Sequence, residues 1–301
     1  MTKKKRAYIE LHIAIVLFGL TAILGKLITL DAVPLVWWRV LITSISLFFI
    51  LGIRQTFRNL PLRLILKFLL TGALLAIHWI TFFLSIKLAN VSIALMAFAT
   101  QSFFTAIFEP LIVGGRIRRH ELAVGFLIVP AMILIVSDLD LSLRLGLWVG
   151  ILSSVVYAIF ASASKRLIDE ASPVQISFFQ LFGCWLFVTM LLPFMVDFEV
   201  DQFVPVGPDL IYMIILTLLC TSLAYVLSMR ALRYISAFDS NLAINLEPIY
   251  GIVLAWLLFN ENKELTLSFY LGGAIIIATV VLYPVISRRN KKPELNERPS
   301  T

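Results

Sequence analysis

Apolar residues fall into ten long runs, each closed off by charge or by turn residues. The runs lie near Leu11 to Thr29, Val33 to Ile53, Leu64 to Ile86, Ser92 to Val113 and Leu122 to Ser137 in the first half. Those of the second half lie near Leu145 to Ser164, Pro173 to Met195, Leu210 to Met229, Ala237 to Phe259 and Leu267 to Ile286. A hydrocarbon core of roughly 30 Å takes about 20 residues of helix, so each run has the length of one membrane crossing. A membrane barrel would alternate polar and apolar residues over about ten positions. Leu267 to Leu282 is apolar on every side, which reads as helix. The expected fold is therefore all-α and polytopic, with ten transmembrane helices.

Composition agrees: 60% of the 301 residues are apolar and 14% are charged. A water-soluble domain cannot hide that proportion of hydrocarbon. The formal net charge of +7 is spread over helix ends rather than massed on one face, which excludes nucleic acid as a partner. Lys and Arg flanking a span are retained in the cytoplasm. Lys3, Lys4, Lys5 and Arg6, then Arg54, Arg58, Arg63 and Lys67, then Arg116, Arg118 and Arg119 fall in alternate connections. Lys165, Arg166, Arg230, Arg233, Arg288, Arg289, Lys291 and Lys292 continue the series. The opposite connections are acidic, with Asp31, Asp138, Asp140, Asp197, Glu199, Asp201, Asp209, Glu261 and Glu264, and carry only Lys87, Arg144 and Lys263 as bases. This sorting places both termini in the cytoplasm of a bacterial inner membrane. Residues 1–10 are then a cytoplasmic lead-in and residues 287–301 a cytoplasmic tail. The first run lacks a small-x-small cleavage site and is expected to stay as a helix. Cys184 and Cys220 lie inside runs without metal-ligand spacing, so neither a disulfide nor a metal site is expected.

The two halves resemble each other. Phe18-Gly19 ends seven residues before Lys26, which stands eight before Pro34; Tyr157-Ala158 stands in the same relation to Lys165 and Pro173. Leu84-Ser85-Ile86-Lys87-Leu88 with Val91-Ser92 is echoed by Leu227-Ser228-Met229-Arg230-Ala231-Leu232 with Ile235-Ser236. Five helices per copy is an odd number, so the copies, 11–137 and 145–286, are expected to be inverted relative to each other. Inverted repeats give secondary transporters two pseudo-equivalent gates around one site near the midplane.

Thr221-Ser222-Leu223-Ala224-Tyr225, Ala231-Leu232-Arg233-Tyr234-Ile235-Ser236-Ala237, Leu246-Glu247-Pro248 and Asn260-Glu261 form a diffuse but long signature, joined in the first half by Phe18-Gly19, Lys26, Pro34 and Arg39. In these residues the chain resembles the EamA-type branch of the drug/metabolite transporter superfamily over nearly its whole length. The resemblance implies a ten-helix carrier with a central cavity between its halves, commonly an exporter of amino acids or other small metabolites. The fourth run departs from the pattern: Gln101-Ser102 stands where a Glu-Pro pair is expected, and Gly115 where the loop glutamate is expected. Glu109-Pro110 lies about a turn and a half of helix away and is not its equivalent.

Ionisable groups at membrane depth are costly and mark function by default. Glu247 is the leading candidate, about ten residues into the ninth run, and Pro248 leaves the Ile244 carbonyl without its helical donor. The pair suits cation, amine or proton binding; the alternative is a hydrogen-bonded acid at a packing kink. Asn241 and Asn245, four apart, share a helix face and either offer amides to a substrate or bond between helices. His78, Gln101, Tyr157 and Tyr225 are further candidate substrate contacts. Arg39 is expected to snorkel to the outer interface. Lys26 and Lys165 read as anchors or gate pairs, and Glu109, next to Pro110, as a latch partnered by Arg116 or Arg119. Gly146 and Gly150 read as close helix packing.

The expected function is a secondary transporter for small metabolites, amino acids or related compounds first, with export favoured and a proton or other ion as candidate coupling partner. It has no GxxxxGK[ST] loop to use ATP and needs no cofactor. The alternatives are a membrane enzyme acting on lipid or polyprenyl substrates, which would need clustered carboxylates or an activated nucleophile, and a channel or scaffold. No HExxH or GxSxG occurs, and His12, His78 and His120 lie in different runs.

Overall fold

The computed structural model describes residues 2–52, 60–117, 119–137, 139–195, 203–244, 246–263 and 265–290, and among them there is helix and no strand. Ile53, Arg54, Arg58, Arg118, Asp138, Asp197, Glu199, Asp201, Asn245, Glu264, Lys291 and Lys292 lie outside the described residues. The helices are α1 (Lys3–Leu27), α2 (Ala32–Leu51), α3 (Leu62–Leu88), α4 (Val91–Phe98), α5 (Gln101–Val113), α6 (Arg119–Phe126) and α7 (Ile128–Ser137). They continue with α8 (Leu141–Leu167), α9 (Pro173–Met195), α10 (Pro208–Thr217), α11 (Ala224–Leu232), α12 (Ala237–Ile244), α13 (Glu247–Phe259) and α14 (Leu267–Asn290).

Eight stretches are long and apolar enough to cross a membrane, and they coincide with eight of the ten expected runs. The other two differ. The fifth run is divided into α6 and α7 at Leu127, because Pro130 has no N–H for the Phe126 carbonyl and its ring crowds that carbonyl. The tenth run lies in α14, whose apolar stretch is described over Leu267–Thr279. At the N-terminus α1 starts at Lys3 rather than near Leu11, its first turn capped by the Thr2 hydroxyl, which accepts from the Lys5 amide. Asp140 caps α8 by accepting from the Ser142 amide at 2.8 Å and its hydroxyl at 2.9 Å. These two bonds hold the Asp140 carboxyl below the usual carboxylate range.

Among the described residues, three of the eight long apolar stretches, those of the fourth, eighth and ninth runs, are not regular helix. The fourth breaks between α4 and α5 at Ala99 and Thr100, and the ninth breaks between α12 and α13. The residues opening the second segments, Thr100 (φ −67°, ψ −11°) and Leu246 (φ −75°, ψ −19°), have nearly the same backbone conformation. Gln101 and Glu247 follow them as first residues of α5 and α13, the correspondence expected from the repeat. Between α10 and α11 the backbone widens into a π-helical turn, Leu218–Leu223. There the Thr221 and Ser222 hydroxyls donate to carbonyls five residues back, Leu216 at 2.7 Å and Thr217 at 3.0 Å.

Packing pairs repeat when the halves are exchanged. Helix α3 packs on α8 as α10 and α11 pack on α1; α4 and α5 pack on α8 as α12 and α13 pack on α1; α2 meets α9 and α7 meets α14. Small residues permit the closest approaches. Gly146 and Gly150 face Ala89, Ala97 and Ser85, as expected of the pair, and a Cβ on Gly183 would stand 2.6 Å from Leu69 Cα. Gly183→Val therefore forces α9 off α3 and is expected to lower stability by about 1–3 kcal/mol, read as earlier thermal unfolding in detergent; an unchanged transition would contradict the packing.

Candidate functional site

Where the broken ninth crossing meets the first, second, third and eighth helices of the fold, a cavity of about 50 Å³ remains. Its walls are Phe18 and Thr21 from α1, Arg39 from α2, His78, Trp79 and Phe82 from α3, Phe98 from α4, Tyr157 and Phe160 from α8, Tyr225 from α11, and Ile244 and Glu247 at the α12–α13 break. The space has room for a few water molecules and none for a metabolite.

Four of the expected substrate contacts converge here: Glu247, His78, Tyr157 and Tyr225. His78 is fixed from two sides. The Ser153 hydroxyl lies 2.8 Å from its Nδ1, and its ring lies against Phe98 (centroids 5.1 Å apart) and Tyr157 (4.7 Å). The Tyr225 hydroxyl is tied away from the cavity, donating to Gln180 Oε1 at 2.7 Å, while Gln180 Nε2 donates to Thr71 and Ser164. That polar network was not anticipated from the residues. Gln101 is buried but does not line the cavity. Asn241 belongs to the backbone of α12, and its side chain, like all of Asn245, lies outside the described residues. Pro248 stands at the second position of α13, where its missing N–H is tolerated, and the predicted kink is a complete break before it. Pro110 instead sits within a continuous α5.

Arg39 corrects the sequence expectation. Its side chain does not snorkel to an interface; the residue is 1% exposed and lines the cavity. The reason is the π turn. Widening the helix turns Thr221 toward α2, where its hydroxyl accepts from Arg39 Nε at 2.8 Å. The guanidinium also lies 4.0 Å above the Trp79 ring and 5.5 Å from that of Phe83, contacts that offset part of the cost of burying a cation. Neither a π turn nor a cross-helix partner has a sequence signal at this separation.

Away from the cavity, two carboxylates do the same work on opposite sides of the fourth and ninth crossings. Glu261, fully buried just after α13, accepts from the Val91 and Ser92 amides at the head of α4, at 3.2 and 2.9 Å, and from the Ser92 hydroxyl at 2.7 Å. Lys26 pairs with it at 2.7 Å and lies over Phe259. Glu109, near the end of α5, accepts from the Ala237 and Phe238 amides at the head of α12, at 3.0 and 2.6 Å. Lys165 stands beside this second cluster, donating to the Leu232 and Ile235 carbonyls at 2.6 and 2.7 Å. Glu109 is thus placed on the head of α12 rather than only against an arginine of its own loop, because the helix N-terminus offers free N–H groups and a favourable dipole. Each crossing's tail caps the other's head, so the two run antiparallel. Glu261 was legible only as an acidic loop residue and as part of Asn260-Glu261; its bond to α4 spans about half the chain. Asn260 takes the left-handed conformation (φ 56°) that ends α13 and turns Glu261 inward.

Among curated proteins none matches the chain. A solved structure described only as "Crystal structure of protein" is similar to it, with 15% identity, a TM-score of 0.68, and coverage of 95% of this chain and 99% of the other; the likeness is one of fold. The model of the EamA-like transporter family matches twice, over residues 5–137 and 144–283. These two stretches take in nearly the whole sequence, and the chain belongs to the EamA-like transporter family.

Proposed function

We propose that the protein is a secondary transporter that moves small metabolites, amino acids and related compounds in particular, outward across a bacterial inner membrane by alternating access. In this reading the chain crosses ten times. Residues 11–137 and 145–286 are inverted five-helix halves, and the basic connections keep both termini in the cytoplasm. The observation that carries it is the reciprocal capping by Glu109 and Glu261 at the two ends of the fourth and ninth runs, with a cavity too small for a metabolite at the ninth run's interruption.

The physical argument concerns balance. Hydrogen bonds to a carboxylate contribute about 1.5–3 kcal/mol each, so each cluster is a strong closure. A single strong closure would hold the protein in one state. Both closures share the motif of one carboxylate on two backbone amides, with an ion pair to Lys26 and the Ser92 hydroxyl added on the Glu261 side, so neither side is held shut alone. A substrate's modest binding energy then decides which one opens. Lys26 and Lys165 complete the two clusters, and Pro248 gives the ninth crossing a flexible joint next to Glu247.

Each closure is expected to open independently. Glu261→Gln weakens the Lys26 side and Glu109→Gln the Lys165 side, each by about 1.4 kcal/mol or more, a tenfold change in population. With Cys184 and Cys220 replaced and Phe98→Cys as a cavity reporter, an impermeant thiol reagent would label faster from the weakened side only. Equal labelling from both sides would refute two separate gates.

Glu247 faces Arg39 from α2, His78 from α3, Tyr157 from α8 and Tyr225 from α11 across the cavity, and in this reading it carries the coupling proton. Transport in proteoliposomes is then accelerated by a pH gradient. Glu247→Gln is expected to abolish that dependence, and an unchanged pH response would dismiss proton coupling through this residue.

A further inference from the structure

The guanidinium of Arg39 is held as if waiting for an acceptor. Nε is committed to Thr221 at 2.8 Å, and the plane is clamped over Trp79 at 4.0 Å. Nη1, buried at the cavity wall, has no hydrogen-bond partner among the described residues. A guanidinium used only for packing would be expected to satisfy its remaining N–H groups on carbonyls, as Arg233 does with those of Ile168 and Ala171. Glu247 lines the same cavity and forms no ion pair with Arg39, so a positive and a negative group face one space without joining.

We infer that Arg39 binds the carboxylate of the substrate and thereby restricts transport to carboxylate-bearing zwitterions with an apolar body. This assignment rests on the transport reading above and names the solute class of that site. A planar guanidinium with free N–H groups recognises carboxylate or phosphate through paired hydrogen bonds. Charge separates these two. Glu247 already brings one negative charge, so a phosphate dianion on Arg39 would leave the cavity with a net negative charge in a medium that tolerates none. A zwitterion leaves it neutral: its carboxylate meets Nη1 and its ammonium turns toward Glu247. A simple amine would satisfy Glu247 and strand Arg39, and an uncharged sugar would satisfy neither. The rings of Phe18, Phe98 and Phe160 supply an apolar wall for the rest of the molecule.

The test is a counterflow series with related probes on the wild-type protein in proteoliposomes: L-leucine, L-leucinamide, 3-methylbutylamine and 4-methylpentanoate. A site built around a charged donor discriminates strongly against analogues that lack the acceptor. Leucine, which leaves neither charge unmatched, is expected to exchange at least about tenfold faster than its amide, the amine or 4-methylpentanoate. Arg39→Gln should collapse the acid-to-amide ratio to near unity, and Arg39→Lys, which keeps the charge without the fork, should restore part of it. The probe series alone decides the matter should Arg39→Gln fail to fold. Equal exchange of leucine and leucinamide by the wild type would overturn the carboxylate assignment and leave transport standing. Flux of sugars or nucleosides with none of the carboxylates would do the same, whereas no flux of any solute would overturn the transport reading and this site with it.

Discussion

A backbone N–H at the head of a helix inside a membrane has no water to turn to, and that constraint shapes the structure. Every helix head held away from water exposes such groups, and they need acceptors. The heads of α4 and α12 find theirs in Glu261 and Glu109, residues more than a hundred positions away in sequence. Moving either carboxylate would strand its own charge together with two amides. The bonds therefore tie the fourth crossing to the ninth at both ends, and with them the two halves of the chain.

The middle of the bundle obeys the same rule differently. The interruptions at Ala99–Thr100 and Leu246 adjoin residues that line the cavity, Phe98 on one run and Ile244 and Glu247 on the other. The π turn at Leu218–Leu223 is satisfied locally by the Thr221 and Ser222 hydroxyls, and the same Thr221 oxygen orients Arg39. Irregular backbone, a buried cation and a buried acid thus gather at one depth, where each makes the others less costly. The surrounding aromatic rings lower the local dielectric and strengthen the site's electrostatics.

Much of the architecture was legible in the residues because hydrocarbon is an undiscriminating solvent. Run length alone located the eight long apolar stretches, and the weak internal repeat paired Gln101 with Glu247, which open α5 and α13. Glu247, His78, Tyr157 and Tyr225 were recognised as candidates because polar or aromatic groups in the interior of apolar runs stand out. Gln101 was an equally visible signal, yet it is buried without lining the cavity. Arg39 was misjudged, since an arginine near the start of a run looks the same whether it reaches outward to water or inward to Thr221.

By itself, then, the sequence determined the class of the protein: an all-helical membrane chain, doubled, of a transporter family, with its acids and bases sorted between the connections. These properties follow from periodicity, composition and local spacing, and each is a sum over neighbouring residues. Only the tertiary structure decided the partners: that Glu109 caps α12, that Glu261 caps α4 under Lys26, and that Arg39 and Glu247 line one small cavity without forming an ion pair. Those pairings depend on where helix breaks and a π turn aim side chains across the bundle, and direction in three dimensions is not carried by any local stretch of residues.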